Sequence, residues 1–466
     1  MSQEREEFMT MGTWGRTRVL TVLLVSLLGP ALAWGQVLTL TPSLTIGERY
    51  DDNIFQEPED EEDDFITMIS PAIQLRYLPR AETDLTFEYK PVLEFFADND
   101  SQNFASHRLS LDFESPLSRR FALKVNELLE ITEDPGDRIR EVDDISENPD
   151  ARSRSNEARG RTIRNAAAVS LDVGLTARTS LGLQFENLYD DVADKDELDE
   201  VRYVLGARLG YLTDVARQNR ASLGYAATAF TFSNNCEVGE DGCTVKNDEG
   251  FTVHTLTVGY EHNLSATLRA QAEVGYASTV SDREDVDGND GVVGRIGFVQ
   301  TLRTGQFDLN YERSFTSEGG TSEQVIADRL FGRIRFRPTP KITAGLSGTV
   351  AYLDSQLDNV NVLNDDDRTF FLIGPSIEYQ VLRYLGFNAA YRFAYSDYRQ
   401  SERSDRTDHQ LTAGAVLAIR AGLFVNLTYE YRDRAFDSTT GDNREGEEYT
   451  RNEILLSVTY KPTFRF

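Results

Sequence analysis

The last fifteen residues, Asn452–Phe466 (NEILLSVTYKPTFRF), constrain the fold more than any other stretch. Counting back from Phe466, every second residue is apolar: Phe464, Pro462, Tyr460, Val458, Leu456 and Ile454. Between them stand Arg465, Thr463, Lys461, Thr459 and Ser457, with Leu455 the single exception. Successive side chains of an extended chain point to opposite faces, so this alternation makes a strand with one greasy and one wet face. The pattern recurs throughout. Phe65–Leu78 sets Ile69, Pro71, Ile73, Leu75 and Tyr77 against Gln74 and Arg76; the next run sets Leu85, Phe87, Tyr89, Leu93 and Phe95 against Thr86, Glu88, Lys90 and Glu94. One such segment alone would also suit the edge of a sandwich, but a chain that repeats it calls for a closed sheet.

The connections have their own rhythm of strand, tight turn, strand, long acidic loop. Tight turns fall near 79–81, 115–119, 175–178, 214–218, 263–266, 303–305, 339–341, 382–385 and 420–422. Longer loops fall near 50–64, 98–103, 134–158, 191–198, 233–250, 281–291, 317–323, 355–368, 399–408 and 437–449. Nine turns and ten loops join twenty antiparallel strands, with eighteen as the alternative count. Short turns on one side and long loops on the other are the asymmetry of transmembrane up-and-down barrels, whose short turns are periplasmic. A chain ending on an alternating strand with a terminal aromatic resembles a bacterial outer-membrane β-barrel. The class implies that Tyr460, Phe464 and Phe466 form the signal read by the barrel-assembly machinery.

Targeting agrees. Arg16 and Arg18 precede the apolar run Val19–Leu28, and Ala31-Leu32-Ala33 follows, which reads as a secretory signal peptide over 1–33 and a barrel over 34–466. The run is too short to span a bilayer as a helix. A mean hydropathy of −0.43 suits a barrel, in which only half of each strand faces lipid. The 48 Lys and Arg against 77 Asp and Glu give a net charge of −29, which argues against a nucleic-acid partner. The acids gather in the loops, as in DEEDD, EVDDISENPD, DREDVDGND and NDDDR. Such a rim reads as a solvated surface, or as one that binds the divalent cations bridging lipopolysaccharide. DVDGND (285–290) lacks the Gly and distal Glu positions of an EF-hand, so no metal site is assigned. Cys236 and Cys243 bracket EVGED in one loop, and in an exported chain they are expected to form a disulfide.

The opening TPSLTIGERYDDNIF, followed by the paired strands ISPAIQLRYLPRAETDLTFEYKP and a long barrel ending in Phe466, resembles the outer-membrane β-barrel porin 2 family. That resemblance implies a porin-like role, association with exopolysaccharide biosynthesis and export systems, and polysaccharide-export components of the periplasm as partners. It brings no catalytic motif and no cofactor.

Wall charges carry most of the functional information. Alternation places Arg329, Arg333, Arg335 and Arg337 opposite Leu330, Ile334 and Phe336, and Asp308, Asn310 and Glu312 opposite Phe307, Leu309 and Tyr311. A lipid-facing Arg or Lys at mid-membrane costs roughly 2–4 kcal/mol, so both rows are assigned to the lumen. Arg392 and Asn388, Glu430 and Asn426, and Arg108 and Asp112 follow them there. These rows either create a transverse field along a solute path or pair across strands and hold the wall together. Twenty strands enclose a lumen wider than sixteen-to-eighteen-stranded porins, so something must narrow it. The longest loop, 134–158, with Arg138, Arg140, Arg152 and Arg154, is the expected inward constriction. The first strand begins almost at the cleavage site, leaving no room for a plug domain and disfavouring an energy-driven transporter. Four scattered histidines, with no G-x-S-x-G or HExxH, argue against an enzyme. The sequence thus supports a porin-like channel for hydrophilic solutes, a polysaccharide among them, in the outer membrane with its lipid and lipopolysaccharide. A non-conducting structural or adhesive barrel with acidic surface loops is the alternative.

Overall fold

A computed structural model of the protein describes residues 37–59, 61–80, 82–133, 161–191, 199–233, 249–281, 288–317, 324–355, 368–398, 405–437 and 448–466. The first ten strands are β1 (Val37–Asp51), β2 (Asp64–Arg80), β3 (Thr83–Phe96), β4 (Phe104–Pro116), β5 (Phe121–Thr132), β6 (Thr162–Gly174), β7 (Thr179–Asp191), β8 (Asp199–Asp214), β9 (Asn219–Ser233) and β10 (Glu249–Asn263). The second ten are β11 (Leu268–Ser281), β12 (Asp290–Leu302), β13 (Gly305–Ser317), β14 (Gln324–Thr339), β15 (Ile342–Ser355), β16 (Arg368–Leu382), β17 (Leu385–Tyr398), β18 (Asp405–Arg420), β19 (Leu423–Asp437) and β20 (Tyr449–Tyr460). Each pairs antiparallel with its neighbours in sequence, and β20 pairs back onto β1. The architecture is a closed all-β up-and-down barrel of twenty strands, and closure gives every strand a paired neighbour on both sides.

Closure is finished by the C-terminus. After a break at Lys461–Thr463, Phe464–Arg465 resumes the ladder on Leu40 and Thr39 in the register of β20. The Phe466 amide donates to the Leu38 carbonyl at 2.9 Å, and the Leu38 amide to the Phe466 carbonyl at 3.2 Å. Following paired residues once around the wall returns to β1 displaced by about 24 residues, which for twenty strands sets a tilt of about 40° and a backbone diameter of about 39 Å.

A single bridge settles which face is inside. Arg208 on β8 reaches Glu273 on β11 at 2.8 Å, across β9 and β10. Only the concave face brings strands three apart within side-chain reach. Gly224 and Gly259 lie beneath it: a Cβ on Gly259 would stand 3.5 Å from the Glu273 carboxylate, and one on Gly224 would stand 2.8 Å from Thr257. The opposite parity is the lipid face, with Leu205, Leu256, Val258, Val274, Val292, Leu330, Ile334 and Leu456 all exposed. In the last strand, Ile454, Leu456, Val458, Tyr460 and Phe464 point outward. Leu455, the exception to the alternation, faces the lumen over Gly47, where a Cβ would approach its Cδ1 to 3.1 Å.

Candidate functional site: the barrel lumen

The inner wall changes character along its height. Toward the short turns it is open: Arg335 and Arg337, on the inward parity of β14, are exposed. Toward the long loops it is filled. Phe232, Val253, Ala277, Leu353 and Leu372 share the inward parity and are at most 3 % exposed.

Two described segments account for part of that filling. The first is the connection after β1. Arg49 bridges Glu94 of β3 at 2.9 Å, and Arg451 of β20 grips Asp51 through Nε at 2.9 Å and through Nη2. The Asn452 side chain donates to Asp52 at 2.7 Å, and the Asn53 amide donates to the carbonyls of Glu57 (2.7 Å) and Thr450 (3.1 Å). The chain then turns in, so that Ile54 packs on Ile66, Phe96 and Phe104 of the inner wall. RYDDNIF is therefore the lock of the β20–β1 seam. Asp64, at the loop end of β2 beyond the outward Phe65, accepts the amides of Ala97, Asp98 and Asn99. Burial works upward on its carboxyl, but the Asp98 and Asn99 hydrogen bonds prevail and hold it below the usual carboxylate range.

The second is the loop end of the β13–β14 hairpin. Pairing of β12 with β13 stops at Gly294–Arg313, although both strands run on. Phe315 and Ile326, outward by parity, instead cluster with Phe230, Phe232, Phe251, Val253, Ala277 and Val293 of the inner wall. The Thr279 hydroxyl on β11 donates to Gln324 at 3.2 Å, past β12 and β13. Val325 and Ala327, on the hairpin's other side, pack with Leu353. Both faces are buried because the hairpin leaves the wall and folds into the mouth. Among the described residues these two segments narrow the lumen. The expected constriction loop, with Arg138, Arg140, Arg152 and Arg154, lies outside the described residues, as do Cys236 and Cys243.

Charged pairs line the remaining wall. Glu312 stands in register with Arg329 and Asp308 with Arg333. Phe331 interrupts the arginine row, and the Arg333 guanidinium lies 5.3 Å from its ring centre. Arg392 is in register with Gln410, which donates to Glu430 at 2.9 Å, and Arg432 donates to the same carboxylate. Asp408 accepts Arg406 at 2.7 Å and Arg434 at 2.9 Å. Arg108 bridges Glu130 at 3.1 Å beside a recess of about 410 Å³ shared with Thr45, Lys90 and Ser457. A second recess, about 350 Å³, lies among Asp172, Gln184, Arg208 and Glu273. The four histidines stand on the outer parity. Tyr89, Tyr225 and Tyr391 meet Nδ1 of His107, His254 and His409 at 3.0, 2.9 and 2.7 Å. Each tyrosine sits on the strand before its histidine, an outer-face pairing that alternation alone does not reveal.

No known family matches the sequence, and no curated protein does. Solved structures do match. The FrpB iron transporter from Neisseria meningitidis aligns with a TM-score of 0.51 at 8% identity, over 94% of this chain and 83% of that one. The ferric citrate transporter FecA in its unliganded form gives 0.51 at 9% identity, over 91% and 78%. The ferric enterobactin receptor PfeA gives 0.50 at 7% identity, over 91% and 81%. What they share with this chain is the fold. The protein is an outer-membrane-type β-barrel whose fold is similar to that of these transporters and this receptor.

Proposed function

We propose that the barrel is a passive, porin-like channel for hydrophilic solutes across the outer membrane of a Gram-negative cell. The observation that carries this reading is the inner wall: a lumen about 39 Å across at the backbone, lined by charge and open toward the short turns. Side chains on both sides still leave a path wide enough for hydrated solutes, and charged rows keep it wet. Asp308, Glu312, Arg329, Arg333, Arg335, Arg337, Arg392 and Glu430 are the proposed lining. Polymer export is the finer reading suggested by the resemblance to β-barrel porin 2 proteins, and periplasmic export components would then be partners. RYDDNIF, which carries part of that resemblance, serves the seam and says nothing of cargo.

The buried loop-side half favours a second reading, a barrel sealed at its outer mouth that acts as an envelope or adhesion element. Liposome swelling separates the two. Refolded protein whose unboiled gel mobility differs from the boiled form should admit small sugars at rates that fall with sugar size. A folded barrel that admits none would overturn the channel reading.

A further inference from the structure

The short-turn rim carries a charge opposite to that of the chain. The nine turns, two residues on either side of each, and the segment 461–466 together hold thirteen Lys or Arg and three Asp or Glu. All thirteen are exposed. Two of the three acids are bridged, Asp84 to Arg76 and Asp214 to Arg217. In a chain of net charge −29, this is a strong polarisation along the barrel axis.

Part of this basic ring faces the lumen. Arg220 shares the inward side of β9 with Gly224, and Lys461 and Arg465 oppose the outward Tyr460 and Phe464; next to the ring on β14, and in addition to the thirteen, Arg335 and Arg337 oppose the outward Ile334 and Phe336. Higher up, inward arginines are matched by acids, as Arg49 is by Glu94 and Arg451 by Asp51. At the rim, Arg220, Arg335, Arg337, Lys461 and Arg465 form no ion pair among the described residues.

The geometry points to the periplasmic mouth as a docking ring for polyanions, so that the cargo is a multiply charged carboxylated or phosphorylated solute approaching from the periplasm. This rests on the channel reading. Rings of Arg and Lys select anions in pores, and a focused field raises the local concentration of the ligand. Multivalency follows from spacing. Adjacent turns are two strands apart, about 12 Å along the rim at this tilt, while charges in 0.15 M salt are screened beyond about 8 Å. A small anion therefore meets only the one or two cations of a single turn or strand end, and exposed pairs of that kind hold little. A polymer following the rim engages several. The inward arginines are out of reach of lipid phosphates, which favours a soluble polyanion over a membrane headgroup.

The test is binding of fluorescent polyglutamate to the folded barrel in neutral detergent, which requires no conduction. Wild type should bind, binding should weaken at least tenfold between 50 and 300 mM salt (about these concentrations suffice for counterion competition), and neutral polyethylene glycol of equal size should not compete. The triple variant R220E/R335E/R337E should weaken binding at least tenfold while retaining the gel shift of a folded barrel. Absent binding, or binding unchanged in the variant, overturns the proposal. So does preferential uptake of the wild-type barrel by phosphatidylglycerol vesicles with no affinity for polyglutamate, which would assign the ring to headgroups. Binding without liposome swelling would overturn the channel reading and leave the ring standing.

Discussion

Asp51 and Arg451 are 400 residues apart in the chain and are joined by three hydrogen bonds, from Nε to both carboxylate oxygens and from Nη2 to Oδ2, in a site with side-chain exposures of 0 and 1 %. Arg451 also reaches Glu453 at 3.0 Å. Removing one member of a buried pair strands the other charge, at a cost of about 3–5 kcal/mol. Asp51→Ala should accordingly lower the temperature at which the folded gel band converts to the unfolded one, whereas Arg76→Ala, at the exposed bridge to Asp84, should leave that temperature unchanged. Equal effects from the two would mean the seam is not held by this lock. At this scale the sequence was only half legible. RYDDN stood out as a motif, and parity placed Arg329 and Arg333 opposite apolar neighbours. Yet alternation carries no information about which residue of β20 meets which residue of β1, so the partners of Asp51 and Asp52 could not be read. Phe331 in the arginine row shows the same limit: parity assigns a side, not a role.

Elements were easier to read than their departures from the wall. Strand and turn signals sit within the local sequence: Pro, Gly and short polar runs mark the turns, and two-residue alternation marks the strands between them. The tight turn expected at 175–178 and the loop expected at 317–323 match the observed ends of β6, β7, β13 and β14. What alternation cannot express is the point at which a paired hairpin peels inward, because Phe315 and Ile326 keep the outward parity there while packing on the inner wall. The inward fold predicts that residues 314–317 and 324–327 resist protease in the folded barrel and that Phe315→Ala, which empties the hairpin's contact with the wall, makes them cleavable. Cleavage of the wild type at the same rate would mean the hairpin stands out in solvent. The final strand gives a second prediction. Phe466 completes the ladder with Leu38 through its backbone and exposes its ring on the lipid side. Deleting it should reduce surface assembly, judged by the fraction of gel-shifted protein in isolated outer membranes; undiminished assembly would show that the terminal aromatic is dispensable.

At the scale of the whole molecule, twenty strands were countable because each long acidic loop alternates with a short turn, and the barrel is that count closed on itself. The contents of the lumen were not countable, since they depend on which segments fold inward. Two do so among the described residues: the connection after β1 and the tip of β13–β14. Among the described residues the result is a lumen wide and basic toward the short turns and narrowed toward the long loops. Such a shape conducts if the narrowing leaves a wet path beside the charged rows of β13 and β14. Single-channel recording of the refolded protein in a planar bilayer tests this most directly. Steady conductance steps, with anion preference that falls in R335E/R337E, are the expected result. A verified folded barrel that passes no current at either polarity would contradict the account and leave a sealed structural barrel in its place.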